Sequence, residues 1–272
     1  MTRSNQKTKI VKDERGNGLA MMRVDKTLKE MMEERPAGRF DVEHWHPKFD
    51  KVLLELKKSK FKIDRFGNYI IQITTNNHVK KTFLTRGVQY YQTETVQNTG
   101  LLHYLAKFVE ENGPNDPKRT RLQTRDILLI RSGTGSVGRV FTVVGDLGKA
   151  NIVESVYLTR VRGVNPFAIS VYFLTKYGQA EIFKASNGVS GIININRSEI
   201  EEMLIPILGE SIERNIEKKY LVMSESHSKA MEAKKNGDEK EYKKNLEIAE
   251  RMLRDLIVKT EAVIRGERKD VV

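Results

Sequence analysis

The sequence predicts an α+β fold, a mixed body followed by a C-terminal antiparallel helical hairpin. Three observations carry that expectation. Residues 126–161 contain short runs rich in Val, Ile and Tyr, parted by glycine-rich breaks, which is the texture of strands. Residues 165–185 lack such breaks and fit a helix. Beyond residue 209, apolar residues recur every three or four positions in two runs separated by Lys235-Asn-Gly-Asp-Glu239, the pattern of two helices packed on each other.

Residues 1–39 show no sustained period and read as a loosely ordered arm ending in a short helix over 25–34, stopped by Pro36 and Gly38. From residue 40 to 208 the texture is that of the body. Pro47 opens a helical pattern with Phe49, Val52, Leu53 and Leu56 on one face, and Tyr69-Ile70-Ile71-Gln72-Ile73 reads as a strand. Further strands are expected over 126–131, 137–144, 155–161 and 192–195. Ser198 followed three residues later by Glu201 suits a capping box, and Pro206 is expected to close the unit. In the hairpin, over 209–265, the first run is Ile212, Ile216, Tyr220, Met223, His227 and Ala230. The second is Tyr242, Leu246, Ala249, Leu253, Leu256, Thr260 and Val263, spaced 4-3-4-3-4-3 along one seam. Ile212, Ile216, Met223, Tyr242, Leu246, Leu253 and Leu256 are the expected assembly seam. Residues 266–272 form a tail.

Composition excludes several chemistries. The 272 residues include no cysteine, so a disulfide scaffold, a cysteine nucleophile and a thiolate zinc site are impossible. The N-terminal residues lack an apolar signal core, and nowhere do about eighteen apolar residues run together. A soluble cytoplasmic protein with no membrane partner is therefore expected. With 48 Lys and Arg against 36 Asp and Glu, the net charge is +12. That excess is unevenly placed. Residues 1–39 hold 10 basic and 6 acidic side chains, residues 40–208 hold 23 and 16, and residues 209–265 hold 13 and 12. Within the body, residues 112–162 carry 9 basic against 4 acidic, a local field that suits an anionic partner such as nucleic acid or merely keeps the protein in solution.

Four motifs invite chemistry. Ser132-Gly-Thr-Gly-Ser-Val-Gly138 lacks the Lys-Ser/Thr pair of a nucleotide-binding P-loop and leads into an alternating strand, so it reads as a turn between strands or as a backbone contact to nucleic-acid phosphate. Asn165-Pro-Phe167 is similar to the Asn-Pro-Pro-aromatic signature of amino-methyltransferases but lacks the second proline, and it suits a helix start with Pro166 in the first turn. His44-Trp-His46, near Asp41 and Glu43, has no third partner at a metal-ligand spacing, so no metal is expected. Glu181-Ile-Phe-Lys184 lies in the expected helix as an ordinary ion pair. The basic loop Asn112-Gly-Pro-Asn-Asp-Pro-Lys-Arg-Thr-Arg121 is more telling. Lys118, Arg119 and Arg121 are expected to project from one mobile segment, as phosphate-neutralising cations or as a solvated charge run. Thr75-Asn76-Asn77-His78 and Tyr90-Tyr91-Gln92 add amide and aromatic groups, at a base-contacting surface or at a strand edge.

In order along the chain, several segments resemble specificity subunits of type I restriction-modification systems. Gly38-Arg-Phe-Asp-Val-Glu-His-Trp-His-Pro47 looks like the start of a target recognition domain. Arg125-Asp-Ile-Leu-Leu-Ile-Arg-Ser-Gly-Thr-Gly-Ser-Val-Gly-Arg-Val140 resembles the family's Gly-Asp-Ile-Leu-x-x-Arg-x-Gly-Thr-x-Gly-x-Val stretch. Asn165-Pro-Phe-Ala-Ile-Ser-Val-Tyr-Phe-Leu174, Tyr177-Gly-Gln179, Ser186-Asn-Gly-Val-Ser-Gly-Ile-Ile-Asn-Ile195 and Leu204-Ile-Pro-Ile207 follow in that family's order. The resemblance implies a reader of double-stranded DNA with no catalysis of its own. It would dock to an adenine methyltransferase that carries S-adenosylmethionine and, in full systems, to a nuclease-translocase. A single body with one hairpin resembles a half-size subunit, or the recognition portion otherwise found fused behind an adenine methyltransferase, and its hairpin seam would pair with a second copy or with a methyltransferase. Leu208-Gly-Glu-Ser departs from the family's Pro-Leu-Pro-x-x-Glu-Gln run, and the Gly237 turn interrupts what is often one long helix. The implied DNA-contacting set is Asn76, Asn77, Tyr90, Tyr91, Lys118, Arg119, Arg121, Arg131, Ser132, Thr134, Ser136, Arg139, Ser186 and Asn187. Two rivals remain open at this point: a stand-alone DNA-acting enzyme with unrecognised catalytic residues, and an assembly or decoy protein that binds the methyltransferase without touching DNA.

Overall fold

A computed structural model describes residues 9–12, 18–21, 27–34, 44, 47–133, 135–187 and 193–272. By compactness the chain divides into residues 1–51 and 52–272. In the first unit, β1 (Lys9–Lys12) pairs antiparallel with β2 (Gly18–Met21), with Lys9 opposite Met21, so the arm expected to be loosely ordered contains a two-stranded ribbon. The short helix begins later than expected, as α1 (Leu28–Glu34). Its start is fixed by a capping box the sequence reading overlooked, in which Thr27 N–H donates to Glu30 Oε2 (2.7 Å) and Glu30 N–H donates to Thr27 Oγ1 (3.3 Å). Helix α2 (Pro47–Lys57) opens at Pro47 as expected.

The second unit continues through β3 (Lys62–Arg65), β4 (Ile70–Thr74), β5 (Val88–Tyr91), β6 (Val96–Gln97), β7 (Gly100–Leu101), β8 (Lys107–Val109), β9 (Ile127–Ile130), β10 (Val140–Thr142), β11 (Ala150–Ile152) and β12 (Val156–Val161). Its central sheet has the order β10-β9-β12-β4, all antiparallel. Every residue of β9 is buried, which accounts for its unbroken Ile-Leu-Leu-Ile run. A second sheet, β11-β5-β8, was not foreseen. Its β5 and β11 pair in parallel although 58 residues separate Tyr91 from Ala150, and no local pattern announces a partner that distant.

Residues 165–185 form two helices, not one: α3 (Pro166–Leu174) and α4 (Lys176–Ala185). Thr175 makes the break. Its backbone is extended (φ −70°, ψ 164°), and its hydroxyl donates to Tyr172 O (2.6 Å) and accepts from Gly178 N–H (3.2 Å), so one side chain caps both helices. Asn165 caps α3 by accepting from Phe167 N–H at 2.9 Å, and Pro166 takes the first helical position. Then come β13 (Ser186–Asn187), β14 (Asn194–Ile195), α5 (Arg197–Glu202) and β15 (Leu204–Ile207). Ser198 lies inside α5 and does not cap it; Asn196 stands at the N-cap, and Glu201 pairs with Arg197 instead. Pro206 does not close the unit, because it sits within β15 opposite Ile63 of β3.

The hairpin consists of α6 (Glu210–Lys235) and α7 (Glu239–Ile264), joined through Gly237 at φ +78°. Asp238 caps α7 by accepting from Glu241 N–H (3.0 Å). The apolar seam is real, but it is spent within the chain. Ile216, Met223, Leu253 and Leu256 are buried, and α3 packs on both helices. Polar contacts along its length tie α6 to the body, Glu217 meeting Arg125 and Asn165 among them. Glu213 accepts from Asn165 N–H (2.9 Å), Tyr220 Oη accepts from Thr142 N–H (3.0 Å), and His227 bonds Thr99 Oγ1 (3.1 Å) and Leu101 O (3.2 Å). Of the expected assembly residues, only Ile212, Tyr242 and Leu246 stay half-buried. Among the described residues, no helix is long and apolar enough to cross a membrane.

Candidate nucleic-acid interface

Two groups of the sequence-predicted residues leave the same end of the central sheet. Thr74 ends β4 and Ile130 ends β9 where β12 begins, since Leu158 faces Thr74 and Val156 faces Ile130. One group continues from β4 and meets the 112–121 loop. The other continues from β9 into the glycine-rich turn.

The first group is mostly fold-building. Asn76 is 4% exposed, and its amide donates to Asn115 O (2.9 Å), Ile152 O (2.6 Å) and Asn151 Oδ1 (3.2 Å). Tyr90 and Tyr91 are fully buried in β5 and offer no face to a base. Tyr90 packs against Phe83, while the Tyr91 hydroxyl sits between Gln89 Oε1 (2.6 Å) and His103 Nδ1 (2.7 Å). The basic loop is anchored where mobility was expected. Arg121 forms an ion pair with buried Asp116 and donates to Asn112 Oδ1 at 3.0 Å. Burial raises the Asp116 carboxyl, but Arg121, the Asn112 N–H and the Asn151 amide outweigh it and hold the group below its ordinary 3.8. Arg119 donates to Asn77 Oδ1 (2.6 Å) and Thr75 O (3.3 Å), and Asn77 donates to Pro114 O (2.9 Å). Residues 118–120 form a single 3-10 turn, from which Lys118 extends exposed and without an ion pair among the described residues.

The second group is more open. Arg131 follows the last residue of β9, donates its N–H to Ser155 O (2.9 Å) and accepts from Ile195 N–H (2.9 Å). Ser132 is bridged to Asn194, and β13 pairs with β14, so Ser132, β14 and β13 lie side by side. Gly133, Gly135 and Gly138 all have positive φ, as a tight turn between strands requires. Ser136 is nearly buried, Arg139 is half-buried with no ion pair among the described residues, and Ser186 donates its hydroxyl to Ile182 O (2.7 Å). Thr134 and the side chain of Asn187 lie outside the described residues.

Pairing sharpens the charge excess of residues 112–162. Asp116 takes Arg121, Asp126 takes Arg160, Glu154 takes Lys81, and Arg125 and Lys149 go to Glu217 and Glu111. Lys118, Arg119, Arg131, Arg139 and Arg162 remain without a carboxylate among the described residues. Arg162 lies near the other end of the sheet, just beyond Val161, the last residue of β12. Tyr157, whose ring carries the Arg131 guanidinium at 5.0 Å, was not among the residues singled out from the sequence, since it lies in a fully buried stretch of β12 with no alternation to mark one face. The His44-Trp-His46 motif falls largely outside the described residues, and no group of three or more His, Asp or Glu that could hold a metal occurs among those described. Glu181 and Lys184 are both buried in α4.

No family model matches the sequence, and no curated protein matches it. Among solved structures, the chain is similar to the S subunit of a type I restriction-modification system from M. genitalium, with 12% identity and a TM-score of 0.42 over 65% of this chain and 42% of that one. It is also similar to the HsdS subunit from Thermoanaerobacter tengcongensis, with 15% identity and a TM-score of 0.39 over 89% of this chain and 57% of that one. The chain spans about half the length of these structures.

Proposed function

We propose that this chain is a specificity subunit of a restriction-modification system, which reads double-stranded DNA and directs a partner adenine methyltransferase, and in full systems a nuclease-translocase, to the target site. The observation that carries this reading is that Ser132 of the glycine-rich turn lies beside β14 and β13. Parts of two segments that resemble the family meet there, next to cations that no carboxylate among the described residues neutralises. Unpaired cations supply salt-dependent affinity by releasing counterions from phosphates. Hydrogen bonds to base edges supply discrimination.

The chemistry belongs to the partner, which binds S-adenosylmethionine. Assembly falls to the hairpin faces left uncovered by the body, where Val222 and Val258 are exposed. Two copies related by a twofold axis present two identical readers, so the preferred site is a symmetric bipartite sequence. Selection from random duplexes, run with and without the methyltransferase, is expected to recover such a motif. Failure to enrich any sequence under either condition overturns the reading.

A further inference from the structure

The body's arginines divide by what their guanidinium groups touch. Arg121 and Arg160 are held by Asp116 and Asp126, Arg125 by Glu217, Arg197 by Glu201, and Arg119 by Asn77 and the Thr75 carbonyl. Arg65, Arg86, Arg139 and Arg162 have no such partner among the described residues, and nothing there orients them either. Arg131 combines a fixed position with a guanidinium that makes no hydrogen bond or ion pair among the described residues. Its backbone is pinned on both sides, by Ser155 and by Ile195. Its guanidinium lies over the Tyr157 ring at 5.0 Å, and its Nε is shielded from solvent without a hydrogen-bond acceptor. A cation already held over an aromatic ring gives up little further freedom on meeting a planar acceptor with its terminal amines.

We propose, resting on the DNA-reading function above, that Arg131 is a specificity-determining residue that reads the O6/N7 edge of a guanine in the target, with Tyr157 as its positioning residue. The acceptor is a base edge and not a phosphate because of this setting. A phosphate is met adequately by an exposed, mobile cation such as Lys118. A half-buried, stacked fork is suited to two coplanar acceptors at a set spacing, which the major-groove edge of guanine offers.

The test is the same duplex selection, run with wild type, Arg131→Lys, Tyr157→Leu and Tyr157→Phe, each checked for an unchanged melting transition. Arg131→Lys keeps the charge and loses the fork, and it is expected to lower the preference for one G·C pair per half-site by roughly tenfold or more. Its affinity for unrelated duplex and its salt dependence stay close to wild type. Tyr157→Leu should relax the same position with Arg131 still present, and Tyr157→Phe, which retains the ring, should preserve it. A motif unchanged in Arg131→Lys overturns this inference while leaving the DNA-reading function standing. Uniform weakening on all sequences also overturns it and assigns Arg131 to phosphate. Absence of any motif in wild type overturns both.

Discussion

Arg121 and Asp116 make an ion pair, buried at the carboxylate and partly exposed at the guanidinium, whose partners cannot be removed singly without cost. Asp116 is 1% exposed and also binds the Asn112 N–H and the Asn151 amide, so Asp116→Ala strands a guanidinium and two further donors. A loss of about 3–5 kcal/mol is expected, measured by urea unfolding. Arg121→Ala should lower stability in the same assay, which disqualifies it as a clean probe of DNA contact; Lys118→Ala should leave stability unchanged and weaken binding to all duplexes alike. Gly100 illustrates a tighter constraint. A Cβ there would lie 2.2 Å from the His227 ring, so Gly100→Ala must push the imbedded imidazole or the β6–β7 turn aside and is expected to cost about 1–3 kcal/mol. His227 also makes stability depend on pH. Burial pulls its imidazole below the ordinary 6.5, the bond to Leu101 O opposes that, and nearby His103 adds to it. Burial lowers His103 in the same direction. The unfolded chain therefore binds more protons than the folded one below about pH 6.5, so this contribution is complete above that value and fades as pH falls through it. The urea midpoint should drop between pH 7.5 and 5.5, and His227→Gln should flatten that drop. An equal drop in both proteins would show that other groups carry it.

At the scale of elements, helical periodicity proved the most readable signal. The 4-3 spacing of Tyr242 to Val263 and the Gly237 turn locate both hairpin helices, because a helix face repeats within its own sequence. What the spacing does not encode is which surface covers the seam. Leu253 and Leu256 face inward to the body instead of toward a second protein, so Leu253→Asp is expected to unfold residues 52–272 cooperatively, seen as loss of the melting transition, before any assembly is tested. Strand positions were legible where a continuous apolar run was buried, as in Ile127–Ile130. They were not legible for β5 and β11, whose pairing depends on distant partners. The break at Thr175 is a third case, in which a side-chain hydroxyl outcompeted the helix backbone for local hydrogen bonds. Thr175→Val removes both side-chain caps and leaves the Gly178 N–H without the Thr175 hydroxyl, with Tyr172 O keeping the Thr175 N–H, at an expected cost of about 1–2 kcal/mol in thermal or urea unfolding. Of the candidate interface, the glycine-rich turn and its neighbours were visible as motifs. The interior roles of Asn76, Tyr90 and Tyr91 were not, since polar and aromatic residues look alike in sequence whether they face a ligand or satisfy a core.

For the molecule as a whole, the charge asymmetry seen along the chain is kept in the fold, where a nearly neutral hairpin is fastened to a basic body by Glu213, Tyr220 and His227. Raising salt should therefore weaken DNA binding steeply and lower the melting temperature only slightly, because Tyr220 and His227 anchor the hairpin from buried positions while the Arg125–Glu217 pair is partly exposed. One pairing sets a different kind of limit. Strand β3 is completed only by β15, with Lys62 opposite Ile207 and Arg65 opposite Leu204. During synthesis, β3 leaves the ribosome some 140 residues ahead of its mate and must wait with an unsatisfied edge until the far strand follows. Maturation of this unit is thus tied to the arrival of residues 204–207, and folding that depends on so long a closure is expected to be slow, with its late step carried by the last strand to be made.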